Sequence, residues 1–144
     1  MPRYLGIDYG RRRIGLAISD PLGSLASPLA TIPSTGDPAD DARAIVAVAD
    51  REDVEAFVVG LPINMDDSEG PQAKLSRNLA GCLRAESAGR PVELWDERLT
   101  TAAADALLDQ THLTSAKRKK HRDQIAALVI LQGYLDARPG LDAD

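Results

Sequence analysis

Tyr4-Leu5-Gly6-Ile7-Asp8-Tyr9-Gly10-Arg11-Arg12-Arg13-Ile14-Gly15 is the stretch that decides the fold. Residues 3–9 read as a strand, Gly10-Arg11-Arg12 as a turn, and 13–19 as a second strand returning beside the first. Ser27 to Pro33 makes a third strand, so the chain opens with an antiparallel meander of three. Downstream the pattern changes. Asp37-Pro38 offers a helix start with proline in the first turn, and Ala42, Ile45, Val46 and Ala49 follow at helical spacing. Ala56-Phe57-Val58-Val59-Gly60 is short and wholly apolar, as a strand buried on both faces of a parallel sheet must be. A polar loop from Leu61 to Gly70 leads to a helix over Pro71 to Glu86, ended by Gly89-Arg90-Pro91. Val92 to Trp95 is the next strand, and Thr100 or Thr101 caps a helix running to about Gln110. A polar linker, 111–116, precedes a last helix over 119–137. Strands in a block followed by alternating helix and strand make an α/β chain with a mixed sheet.

The 144 residues suffice for one domain with a substantial core, expected over 1–138 with a short tail at 139–144. A hydrophobic fraction of 44% and a charged fraction of 27% are those of a globular protein. The single cysteine, Cys82, excludes an internal disulfide and fits a reducing compartment. An acid interrupts the first apolar run too early for a signal peptide, and Ala126 to Leu131 is too short to span a bilayer. The expectation is a cytoplasmic protein without a membrane partner.

Net charge is −5, but it is unevenly spread. Lys117, Arg118, Lys119, Lys120 and Arg122 carry five positive charges within six residues, leaving −10 for the rest of the chain. Arg11-Arg12-Arg13 forms a second basic cluster. Each cluster adjoins an acid in a strand-end or helix-start context, Asp8 in one case and Asp123 in the other. An acidic protein can hold a phosphate backbone locally in this way.

Asp8, Glu97 and Asp123 are the candidate catalytic residues and metal ligands. Asp8 ends an apolar strand, Glu97 follows Val92-Glu93-Leu94-Trp95-Asp96, and Asp123 heads a stripe formed with Ala127, Ile130, Leu131 and Tyr134. An isolated carboxylate on a core-facing stripe is expensive, so Asp123 either lies beyond the core edge or is compensated by a cation. Three carboxylates converging from two strand ends and a helix can hold two Mg²⁺ or Mn²⁺ ions, about 3.5–4 Å apart in phosphodiester-cleaving sites. Arg11, Arg12, Arg13, Arg98, Lys117, Lys119 and Lys120 are the candidate nucleic-acid contacts, with Arg98 near the scissile phosphate. Asp96 and Glu97 face opposite ways if the strand continues, and Glu97 is the favoured ligand.

Other chemistries are poorly supplied. His112 and His121 are the only histidines, which disfavours a histidine-rich zinc site, and one cysteine excludes a thiolate site. Neither a Gly-x-x-x-x-Gly-Lys-Ser/Thr loop nor a Gly-x-Ser-x-Gly elbow occurs. The few aromatics, with Tyr9 and Trp95 beside candidate acids, favour recognition of nucleic-acid shape and backbone over single-stranded sequence. Trp95 is expected in the core.

These segments together resemble the YqgF/RuvX family. The resemblance rests on Leu5-Gly6-Ile7-Asp8-Tyr9-Gly10 with Arg13-Ile14-Gly15 and Ser19-Asp20-Pro21. It continues through Val59-Gly60-Leu61-Pro62 with Asn64-Met65-Asp66, and through Asp96-Glu97-Arg98-Leu99-Thr100-Thr101. The last helix joins in with Asp123, Ala126-Ala127, Ile130-Leu131-Gln132 and Tyr134-Leu135. Four motifs in order cover about 4 to 135. The resemblance implies a ribonuclease H-like fold, a five-stranded mixed sheet flanked by helices on both faces. It also implies Asp8, Glu97 and Asp123 as catalytic acids, and a nuclease maturing the 5′ end of precursor 16S ribosomal RNA. Asp67 departs from the pattern, standing where glycine is expected.

Two nuclease readings follow, one on precursor ribosomal RNA and one on four-way DNA junctions, the second requiring a two-fold homodimer. A ribosome assembly factor without catalysis is the non-enzymatic alternative. Phosphoryl transfer from ATP, suggested by the Asp-x-Gly start, needs two lobes, and this chain supplies one.

Overall fold

The computed structural model describes residues 3–99 and 122–138. The helix expected from Thr100, the linker at 111–116, His112, His121 and the basic residues Lys117, Arg118, Lys119 and Lys120 lie outside the described residues.

The elements run β1 (Arg3–Tyr9), β2 (Arg13–Ser19), β3 (Ala26–Pro33), α1 (Pro38–Arg51), β4 (Val54–Leu61), α2 (Pro71–Glu86), β5 (Val92–Asp96), a 3-10 turn (Glu97–Leu99) and α3 (Arg122–Ala137). Five strands form one sheet in the order β3-β2-β1-β4-β5. β1, β2 and β3 are the expected antiparallel meander, while β1 pairs parallel with β4, and β4 with β5. β4, with its apolar run from Ala56 to Gly60, is therefore flanked by parallel neighbours on both sides, as that run demanded.

Strand alternation divides the sheet into two cores. Leu5, Ile7, Tyr9, Ile14, Leu16, Ile18, Phe57 and Val59 face α1 and α2, packing against Ile45, Val48, Leu79 and Leu83. On the opposite face Ala17 and Val58 pack against Ala127, Leu128, Ile130, Leu131 and Leu135 of α3, with Trp95 and Tyr134 at the margin. Trp95 packs edge-on against Tyr134, ring centroids 6.1 Å apart, as expected of a core-lining residue.

The local signals account for the helix starts. Asp37 caps α1 by accepting from the Ala39 amide, with Pro38 in the first turn, and Pro71 opens α2. None of the described helices is long and apolar enough to cross a membrane.

α3 lies close on the sheet because small residues line its track. A side-chain carbon added to Gly6 would lie 2.6 Å from Leu131 Cβ, and one on Gly60 would lie 2.4 Å from Ile130 Cδ1. At Gly15 it would lie 1.9 Å from the carbonyl oxygen of Asp123. At Gly6 and Gly15 the obstructing atoms are backbone or Cβ, so glycine is required there for close approach, whereas at Gly60 the nearest atom is the end of the Ile130 side chain.

Candidate active site

Asp8 lies near the carboxyl end of β1, directly opposite Gly15 of β2. It lies two positions from Gly6, so its side chain leaves the sheet on the α3 face. Asp123 occupies the first turn of α3, and Gly15 is the surface on which that turn rests. Glu97 begins the 3-10 turn that follows β5, and its Oε2 comes within 3.1 Å of the carbon that glycine at 60 omits. Gly60 is on the same face as Val58, beneath α3. Asp8, Glu97 and Asp123, separated by up to 115 positions in the sequence, thus meet on one face at the carboxyl edge of the parallel strands. In open α/β sheets that edge is where ligands bind.

Electrostatics tie the three together. Burial, reinforced by the charge of Asp123, pushes the Asp8 carboxyl up to about 6. Burial, then the charges of Asp8 and Asp96, raise Glu97 to about 7. Desolvated like charges oppose ionisation in this way, and a cation among them would relieve the repulsion.

Asp96 turns the other way. Its carboxylate grips Arg98 through Nε at 3.1 and 3.2 Å and Nη2 at 2.8 Å, and accepts the Arg98 amide at 2.9 Å. Hydrogen bonding from the Arg98 side chain holds Asp96 below the usual carboxylate range. The same bonds form the turn that delivers Glu97 to the α3 face. Of the two neighbouring acids, Glu97 is therefore the one beside Asp8.

Asp123 resolves differently from a free metal ligand. Arg13 donates Nε to its carboxylate at 2.7 Å, so the compensating cation belongs to the protein itself. With Asp123 turned to Arg13, no group of three or more acidic, histidine or cysteine side chains among the described residues stands ready-made to hold a metal ion. The donor chemistry nonetheless fits a hard divalent cation. All three groups are carboxylates, two are raised by burial and mutual charge, and the third needs only to exchange Arg13.

The basic candidates separate. Arg11 and Arg12 are exposed in the β1–β2 turn, Arg13 pairs with Asp123, and Arg98 is held between Asp96 and the central loop. Lys117, Lys119 and Lys120 lie outside the described residues. Tyr9 offers no stacking surface: it is buried on the α1–α2 side, and its hydroxyl donates to Asp41 at 2.6 Å.

Asp41 itself went unnoticed in the sequence. It is fully buried and accepts from Tyr9, from the Ser34 hydroxyl at 3.0 Å, and from the Thr35 amide and hydroxyl at 2.8 and 3.0 Å. Burial favours its acid form, but these donors together outweigh burial and keep its carboxyl low. The signal was available, because Ile45, Val48 and Ala49 follow Asp41 at spacings of about 4, 7 and 8, the stripe test used for Asp123. Gln72 adds a second anchor, donating to the Tyr9 carbonyl at 2.5 Å. Both fix the strand end that carries Asp8.

Known proteins resemble the chain over nearly its whole length. A family model described as RuvX, Holliday junction resolvase, matches residues 2–137. A Myxococcus xanthus protein, provisionally named a pre-16S rRNA nuclease, is 47% identical over 142 residues, covering 99% of this chain and 93% of its own length. A Moorella thermoacetica protein with the same provisional name is 48% identical over 134 residues, covering 93% of this chain and 94% of its own. Among solved structures, T. thermophilus RuvC in complex with Holliday junction substrate superposes with a TM-score of 0.57 at 21% identity, covering 94% and 96% of the two chains. The fowlpox virus Holliday junction resolvase gives 0.50 at 15% identity, covering 94% and 98%. At such identities the likeness is one of fold, and that fold is ribonuclease H-like.

Proposed function

The chain belongs to the RuvX family, and from that premise we propose that it is a divalent-metal-dependent nuclease of structured nucleic acid that processes the 5′ end of precursor 16S ribosomal RNA. The observation that carries the reading is the meeting of Asp8 and Glu97 on the face beneath α3, with Asp123 close enough to raise Asp8. The provisional names of full-length relatives support the RNA substrate. Work on precursor ribosomal RNA belongs in the cytoplasm.

Asp8, Glu97 and Asp123 would hold Mg²⁺ or Mn²⁺, in a pair as two-metal nucleases do. Bound there, the ions supply a nucleophilic water at neutral pH and neutralise charge on the phosphate in the transition state. Asp8 sits between the other two acids and would be shared. Were Asp123 to hold an ion, Arg13 would be free of its carboxylate and would join Arg11 and Arg12 at the rim to hold the nucleic-acid backbone. Arg98, fixed by Asp96 and paired with Asp67, would meet the phosphate beside Glu97. Asp41 and Gln72 keep the Asp8 strand end in place and do not touch substrate.

The description of the family model favours a second reading, resolution of four-way DNA junctions, which calls for a two-fold dimer so that both strands are cut symmetrically. One paired assay tests both. Precursor 16S 5′-end RNA and a synthetic four-way junction are incubated with Mg²⁺ or Mn²⁺, with Asp8→Asn beside the wild type. RNA cut by the wild type alone is the expected result. Paired nicks in the junction transfer the function to recombination. Binding of either substrate without cleavage leaves an assembly factor, and full activity in Asp8→Asn refutes the acid assignment.

A further inference from the structure

Asp67 holds a position that glycine would occupy without strain. Its φ is 70°, in the left-handed region, within the turn Asn64-Met65-Asp66-Asp67 closed by the Asp67 amide donating to the Asn64 carbonyl. Among the described residues, the carboxylate so placed accepts from Arg98 Nη1 at 2.7 Å. The other Nη1 contact of Arg98 is the Asn64 carbonyl at 3.1 Å, so one guanidinium edge is closed by the central loop. The opposite edge, Nε and Nη2, is held by Asp96.

The two carboxylates differ in how firmly they hold. Asp96 is 21% exposed, accepts from both the Arg98 side chain and its amide, and fixes the guanidinium plane. Asp67 is 84% exposed and offers a single oxygen. An exposed one-point ion pair is weak and readily exchanged. Two acids against one guanidinium also leave Arg98 with no net positive charge to offer an incoming phosphate.

We propose that Asp67 is an intramolecular stand-in for a nucleic-acid phosphate, occupying the Nη1 edge of Arg98 until a backbone phosphate displaces it. The inference rests on the nuclease reading and names one contact within it. Displacement would leave the Asn64 carbonyl as the remaining Nη1 tie and so loosen the loop at 62–70 against the turn that carries Glu97, coupling substrate arrival to the candidate acids. It also makes Asp67 a determinant of affinity, holding binding weaker than the exposed arginines alone would set it.

The test is binding of a structured RNA hairpin by fluorescence anisotropy, without divalent ions, at several salt concentrations. Wild type is compared with Asp67→Asn, which tolerates the left-handed backbone, with Arg98→Gln, and with the double variant. Asp66→Asn makes the same charge change one residue away, where the carboxylate serves Ser68 and not Arg98. Asp67→Asn should tighten binding by roughly three- to tenfold at low salt, with the gain fading as salt screens it. That gain should vanish in the Arg98→Gln background and be clearly smaller for Asp66→Asn. Equal affinity of wild type and Asp67→Asn overturns the proposal, as does a gain that persists without Arg98 or is matched by Asp66→Asn. Failure of every protein to bind the hairpin and a four-way junction alike overturns the nucleic-acid reading, and this inference with it.

Discussion

Gly15→Ala concentrates the reasoning about the site into one methyl group. The added carbon would lie 1.9 Å from the Asp123 carbonyl oxygen, 2.4 Å from its carbon and 3.1 Å from its Cα. An ordinary non-bonded contact is about 3.5 Å, so the gap must open by roughly 1.5 Å. All three obstructing atoms are backbone, and no rotamer change relieves them. Either the first turn of α3 lifts or β2 bends away from it. Overpacking of this kind costs roughly 1–3 kcal/mol, and for a domain of this size each kcal/mol lowers the melting temperature by about 2–4 °C or somewhat more. A drop of roughly 3–10 °C is expected. Activity should suffer more, because the displaced turn carries Asp123 away from Asp8. A misplacement of about 1 Å in a catalytic constellation reduces rate by about a hundredfold. Thermal melting and cleavage of precursor RNA are measured on the same preparation. Gly81→Ala is the control, since glycine 81 lies on the exposed side of α2 with nothing within 4 Å, and alanine there should be neutral or stabilise by up to about 1 kcal/mol. Wild-type melting and cleavage in Gly15→Ala would refute the close seating of α3 on β2.

Other perturbations test separate parts of the structure. Asp41→Asn should destabilise by roughly 1–3 kcal/mol at pH 7, because Tyr9, Ser34 and Thr35 lose a charged acceptor. The native carboxyl lies below its unfolded value of about 3.9, so its contribution is complete above that value and is lost as pH falls through the lower native one. Urea unfolding across pH 7 to 3 should show the gap between wild type and variant closing below about pH 4; a constant gap would contradict the charge-based account. Mg²⁺ or Mn²⁺ should raise the melting temperature of wild type in a concentration-dependent manner and leave Asp8→Asn little changed, whereas equal shifts would mean that the ions bind elsewhere. Replacing Lys119 and Lys120 by glutamine should flatten the salt dependence of RNA binding by up to roughly two units of slope. An unchanged slope would place that basic run away from the substrate.

Much of the architecture could be read along the chain because its signals are local. The meander at 3–33 follows from two turns between alternating strands, α1 from Asp37-Pro38, and β4 from an unbroken apolar run. Asp8 and Asp123 stood out because each interrupts an apolar pattern, and Asp41 would have stood out by the same test. The basic residues were legible only as charge. Nothing local says that Arg13 pairs with an aspartate 110 positions away, or that Arg98 is shared by Asp96 and Asp67.

What the sequence determined by itself was the described strands and helices and the mixed character of the sheet, with three acids as candidates, since hydrophobic periodicity, turn chemistry and motif order depend on neighbours in the chain. What only the tertiary structure decided was orientation and partnership. Asp96 and Glu97 are adjacent in sequence, yet one faces Arg98 and the other the α3 side, because the turn after β5 is shaped by the Asp96–Arg98 bonds. Gly15 and Gly60 carry no signal of their own. Their role exists only because α3, more than sixty residues further on from either, packs where a side chain would have stood.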